Sequence, residues 1–177
     1  MAGVRRRGSG AVVTLDADET ALLRVLLADL DALLDAPQRP SDPLEELAGL
    51  ADAPTTPPED PALSRLLPDG YRDDPEAAAS LRRLTENSLR QQKSEAARVV
   101  LAGLPEKGGK IRLDEESLPA WLAALNDLRL VLGTRLDVTE ESDPLGGHAP
   151  QDPEAAPYVI YQWLTAVQDN LVQTLLR

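Results

Sequence analysis

Leucine at helical spacing is the feature that most restricts how this chain can fold. Leu22, Leu23, Leu26, Leu27, Leu30, Leu33 and Leu34 recur at intervals of one, three and four. Such spacing lines one face of a helix and no single face of a strand. The 177 residues include 32 leucines and 24 alanines, two tryptophans, three tyrosines and no phenylalanine. Leu and Ala are strong helix formers, and the β-branched and aromatic residues that strands favour are scarce. The expected fold class is mainly all-α: a bundle-like packing of four long helices plus short helices, with a small N-terminal β-hairpin.

Local signals divide the chain. A turn at Gly8-Ser9-Gly10 precedes Ala11-Val12-Val13-Thr14-Leu15, which suggests a hairpin or an extended arm over residues 4–15. Asp16 with Glu19 reads as a capping-box start for a first helix over 17–36. Nine of the fifteen prolines fall between positions 37 and 75, so no long helix can continue there. Short amphipathic pieces fit at 43–50 and 61–67, while 52–60 has little to bury and is expected to be a loop. Asp74 and Pro75 open a second long helix over 75–103, ended by Gly103 and Pro105. A loop over 106–112, a third helix from 117 or 119 to 133 and a last helix over 157–176 complete the reading. In the last helix Ile160, Leu164, Val167, Leu171 and Leu175 form the seam. A single helical domain over 1–177 is expected, with a Pro-rich irregular connection at 37–75.

Composition removes whole classes of chemistry. Without cysteine there is no disulfide, iron–sulfur cluster, cysteine zinc site or thiol nucleophile within these residues. A lone histidine, His148, excludes a multi-histidine metal site, and its setting in Gly146-Gly147-His148-Ala149-Pro150 is that of a polar loop. Gly108-Gly109-Lys110 lacks the spacing and the Ser or Thr of a P-loop. No catalytic residue, cofactor site or metal ligand is assigned. No apolar run approaches the roughly 20 residues that span a bilayer, and the Met-Ala-Gly-Val-Arg-Arg-Arg start leads to no signal-peptide core, so a cytoplasmic location is expected.

Charge is unevenly placed. The chain carries 18 Lys and Arg against 30 Asp and Glu, a net of −12, yet residues 1–13 sum to +3 and 77–113 to +5. On the second helix Arg82, Arg83, Arg90 and Lys93 share about a third of the circumference, with Glu86 among them. They suit an i, i+4 ion-pair ladder on a solvated face, or a docking patch for an acidic partner. Arg5-Arg6-Arg7 suits a solvated edge or a phosphate contact. Nucleic acid is not expected as the primary partner, because the acidic body opposes the phosphate attraction that dominates such binding.

From Trp121 to Leu136 the sequence WLAALNDLRLVLGTRL is apolar nearly all round a helix, which implies burial. Its main seam is Trp121, Ala124, Leu125, Leu128, Val131 and Leu132, with Asn126 and Arg129 on one flank, Asp127 on another and Arg135 near the end. Asp127 has Leu130 and Val131 at i+3 and i+4, so its partner should come from the basic stretch of the second helix. Glu86 or Glu95 would serve as acceptor for Arg129. The group Arg82, Arg83, Glu86, Arg90, Asn126, Asp127, Arg129 and Arg135 is therefore the candidate polar network or partner site. It reads as an interhelical cluster fixing register, as a partner surface, or as a small-ligand or enzyme site around Asn126, Asp127 and Arg129. Ser88, Gln91, Gln92 and Glu95 interrupt the inward side between Leu81, Leu84 and Val99, which would admit water or a ligand, or would leave the middle of that helix exposed. Self-association through the Leu-rich face of the first or last helix is a further reading.

The segment from Ala120 to Leu136 resembles the signature of an actinobacterial family known as domain-of-unknown-function family 2017. Leu15-Asp16-Ala17-Asp18-Glu19 after the basic hairpin, Leu67-Pro68-Asp69-Gly70-Tyr71, Arg82-Arg83-Leu84-Thr85-Glu86 and Tyr161-Gln162-Trp163-Leu164 agree in kind and order, so the likeness spans nearly the whole chain. The resemblance implies a regulator of the oxidative-stress response that uses a redox-active cysteine pair and contacts an alternative sigma factor. With no cysteine present, the switch transfers to no position here. What the resemblance leaves is a non-enzymatic cytoplasmic regulatory protein, a transcription regulator acting by protein–protein contact with a sigma factor or RNA polymerase.

Overall fold

The computed structural model describes residues 2–35 and 54–176; the piece expected at 43–50 and the start of the 52–60 loop lie outside them. The described chain runs β1 (Gly3–Arg7), β2 (Gly10–Leu15), α1 (Ala17–Leu34), α2 (Pro61–Leu66), α3 (Pro75–Gly103), β3 (Gly109–Leu113), α4 (Leu118–Arg135), a 3-10 turn (Pro153–Ala155) and α5 (Ala156–Leu175). It is mainly α, 60% helical, with four long helices and one short one.

The N-terminal hairpin is larger than the sequence suggests. β1 and β2 pair antiparallel, and β3, drawn from the segment expected to be a loop, adds to the other edge of β2 in the order β1-β2-β3. Lys-Ile-Arg-Leu at 110–113 is too short an alternation to announce a strand alone. Tertiary burial of Ile111 and Leu113 supplies the rest.

Helix starts follow the sequence chemistry. Asp16 accepts from the Glu19 backbone N–H while the Glu19 carboxylate accepts from the Asp16 N–H, a closed capping box. The Glu19 backbone N–H holds the Asp16 carboxyl below its ordinary range. Asp60 and Asp74 cap α2 and α3 ahead of a proline at the first helical position. Each such cap contributes about 1 kcal/mol.

At the centre lies α4, in contact with α1, α2, α3 and α5. This is why its sequence is apolar on nearly every side: Trp121, Ala124, Leu125, Leu128 and Val131 are buried and Leu122, Leu130 and Leu132 are partly buried. Leu23, Leu27, Leu30 and Leu34 of α1 and Leu164, Val167 and Leu171 of α5 pack into the same core, as do Val13 and Leu15 of the sheet. Fully burying one such side chain contributes roughly 1.5 to 3 kcal/mol. Gly133 allows α4 and α5 to close, since a Cβ there would stand 3.1 Å from the Tyr161 ring.

The inward stripe of α3 differs from the expected one. Ala78, Arg82, Glu86, Ala97 and Val100 are buried, whereas Leu84 is 73% exposed and Leu81 and Leu89 stand partly in solvent. Ser88, Gln91, Gln92 and Glu95 are all exposed, so the middle of the helix shows its polar side to water. An apolar pattern alone misplaces the buried face of this helix by part of a turn, because Arg82 and Glu86, two of its five buried residues, are charged.

Candidate functional site

The expected charge ladder exists, but it is buried. Arg82 and Glu86, 6% and 2% exposed, are ion-paired one turn apart, and the other Glu86 oxygen accepts from Arg90 Nε at 2.9 Å and Nη2 at 2.7 Å. Neither a solvated face nor a patch open to a partner describes these three residues. Their remaining donors go to neighbouring elements. Arg82 Nη2 donates to the Leu67 carbonyl at 3.0 Å and to Asp69 at 2.8 Å, and Arg90 Nη1 donates to the Leu34 carbonyl at 3.2 Å. One carboxylate thus organises two guanidinium groups that fasten the ends of α1 and α2 to α3. Burial opposes the Arg82 charge, but the hydrogen bonds to Asp69 and Glu86 outweigh it and hold the guanidinium pKa above its ordinary value. Asp69, in a loop, carried no sequence signal for this role; only its place beside the C-terminal end of α2 brings it to Arg82.

Asp127 is 2% exposed and accepts from Lys93 Nζ at 2.7 Å, which ties α4 to α3. Its Oδ2 has no partner among the described residues. Burial pushes its carboxyl above the ordinary range, with Lys93 pulling part of the way back. Arg129 takes a different route from the one expected: it donates to Thr165 Oγ1 at 3.0 Å and Gln168 Oε1 at 2.8 Å on α5 and lies 5.9 Å from the Tyr161 ring centre. The reason is angular. Two residues along a helix turn about 200°, so Asp127 and Arg129 cannot both face α3. Asn126 and Arg135 are exposed, as is Arg83, and none of the three joins either group. Asn126, Asp127 and Arg129 therefore point three ways.

Open space near these groups is small. A pocket of about 120 Å³ lies over Arg82 and Glu86, lined also by Leu67, Pro68, Leu81 and Leu89. Small-molecule sites usually enclose about 300 to 1,000 Å³. In the loop before α5, His148 lies 3.8 Å from an Asp152 oxygen and 3.6 Å from a Glu154 oxygen, its ring tilted against Tyr158. Donor atoms of these three could approach a cation, but Glu154 is 77% exposed and Asp152 already caps the Glu154 N–H.

A larger feature lies on the sheet, and sequence reading saw only half of it. The inner face buries Ala11, Val13, Leu15, Ile111 and Leu113. By strand alternation Arg5 and Arg7 of β1, Val12 and Thr14 of β2, and Lys110 and Arg112 of β3 share the outer face. Arg5 and Arg112 both register with Val12, so they flank it from opposite sides. Arg5, Arg6, Arg7, Lys110 and Arg112, with Val12, Gly103 and Ile111, line an open cleft of about 830 Å³. Arg6 registers with buried Ala11 and so belongs to the other face of β1. Because β3 is remote in sequence, Arg5, Arg7, Lys110 and Arg112 form one surface only after β2 and β3 pair.

Comparison with known proteins supplies the lineage. A Mycobacterium bovis protein and a Mycobacterium tuberculosis protein, each named Oxidative stress regulator AosR, are both 40% identical to the chain over 174 residues, covering 89% of this chain and 78% of each relative. No solved structure matches it. The model for the family described as Domain of unknown function (DUF2017) matches residues 1–175, and the chain belongs to that family.

Proposed function

We propose that this chain is a cytoplasmic regulatory protein that acts by contact with another protein, an alternative sigma factor or a component of RNA polymerase, without a thiol switch of its own. The observation that carries this reading is where the polar side chains go. Arg82, Glu86, Arg90, Lys93 and Asp127 are spent on one another and on the ends of neighbouring helices, while the cations of the sheet face outward. Groups held this way fix the body of the protein and leave its surface to do the work. Relatives named as oxidative stress regulators support the regulatory part. The cysteine-free sequence supports a role in which any redox sensing belongs to the partner or to another component.

Co-elution of the purified chain with the core RNA polymerase and each alternative sigma factor of its own organism, on a sizing column, tests the reading. A stable complex with at least one component is expected. Treating the chain alone with diamide, then removing the oxidant, should leave that complex unchanged. Failure to co-elute with every component would overturn the transcriptional role.

A further inference from the structure

We infer that the outer face of the three-stranded sheet is a docking surface for a run of about four consecutive Asp or Glu residues in an extended segment of a protein partner. This deepens the regulatory reading above by naming the surface and the chemistry of what it binds.

The face is a charge island. Of the five cations in β1, β2 and β3, four (Arg5, Arg7, Lys110 and Arg112) lie on this face and Arg6 on the other; the strands hold no acidic residue, while the remainder of the chain carries 13 cations against 30 acids. The strands are short, and two inter-strand spacings of about 4.8 Å put the β1 and β3 cations about 10 Å apart across β2. Along each edge strand the cations sit two residues apart: Arg5 with Arg7, and Lys110 with Arg112. That separation is about 7 Å. An extended peptide laid along β2, over Val12 and Thr14, repeats its side chains at the same interval and sends alternate ones to opposite sides. Successive carboxylates of such a peptide would reach the β1 row and the β3 row in turn. Arginine on three of these positions suits bidentate pairing with carboxylates.

The same dimensions disfavour nucleic acid. A duplex presents one negative charge per about 1.7 Å of axis over a long rod, so its phosphates would run past the island onto strongly acidic protein. A short acidic peptide ends before it meets that repulsion. Steering by the island also suits fast, salt-sensitive association.

Fluorescence anisotropy of the full chain with a labelled octapeptide containing four consecutive glutamates tests this, alongside its Glu-to-Gln counterpart and a 20-base-pair duplex. The glutamate peptide should bind in low salt and weaken with added salt; the glutamine peptide and the duplex should not bind. The double variant Arg5→Glu with Arg112→Glu should weaken binding about tenfold or more. Arg72→Glu, at an exposed arginine in the loop before α3 that is neither in the strands nor among the residues lining the cleft, should leave it unchanged, with circular dichroism confirming that both variants stay folded. Tighter binding of the duplex than of the peptide would convert the face to a phosphate site, and equal binding by the double variant would remove the face from the contact. Either result overturns the proposal, as does the absence of peptide binding. The two proposals fail separately. A polymerase or sigma-factor complex that survives the double variant leaves the regulatory reading standing without this face. Peptide binding with no such complex leaves the face standing without that partner.

Discussion

Glu86 is the residue on which the buried network turns. It pairs with Arg82 and Arg90 and has almost no access to water. Removing its charge leaves Arg82 with Asp69 alone and takes from Arg90 its acidic partner, both where solvation is poor, a change that typically costs about 3 to 5 kcal/mol. Glu86→Gln should therefore lower the unfolding free energy by about 3 kcal/mol or more in urea denaturation, and a change below about 1 kcal/mol would show the pairing to be dispensable. Asp127 makes a prediction about pH instead. Its carboxyl is pushed above the ordinary value of 3.8 chiefly by burial, so the folded state holds the proton more tightly than the unfolded chain. Its contribution to stability is then fully present below the unfolded-state pKa and is lost as pH rises through that value to the folded one. Across about pH 3 to 7 the unfolding free energy of the natural chain relative to Asp127→Asn should fall with rising pH and then level off. A difference that grows with pH would contradict the burial argument. At this scale the sequence made part of the site legible. The i, i+4 ladder and the need of Asp127 for a partner on the second helix could be read, because both follow from spacing along one helix. That Arg129 turns to Thr165 and Gln168, and that Asp69 completes the Arg82 site, could not, since those partners come from elements whose placement no local pattern encodes.

Among the elements, the helices were the most legible and β3 the least. The limits of α3 follow from Asp74, Pro75 and Gly103, whose backbone preferences act locally. β3 exists because β2 offers an open edge and the core accepts Ile111 and Leu113, neither of which is visible in the segment itself. The close approach of the two strands has a measurable consequence. A Cβ at Gly10 would stand 2.0 Å from the Leu113 carbonyl oxygen, a backbone atom that cannot move alone. Gly10→Ala should force the end of β3 away from β2 and cost about 1 to 3 kcal/mol or more, read as a lower midpoint in thermal unfolding. Hydrogen exchange at Ile111 and Leu113 should accelerate in that variant; protection equal to the natural chain would show that the sheet absorbs the extra carbon.

For the whole molecule, a net charge of −12 and a mainly helical, leucine-rich core were fixed by composition and periodicity, since both depend on which residues are present and how they are spaced. So was the absence of any thiol mechanism within these residues. The described residues include no helix long and apolar enough to cross a membrane. Tertiary structure decided which charges are spent and which are presented. The basic stretch of the second helix, the most conspicuous in the sequence, is turned inward at Arg82 and Arg90 and neutralised by Glu86 and Asp69, while Arg5 and Arg7 gain Lys110 and Arg112 as neighbours about a hundred residues away. Sequence determines periodicity and charge because these are local sums. Only folding determines the surface, because a cation's value there depends on whether a distant segment buries it, pairs it or sets another beside it.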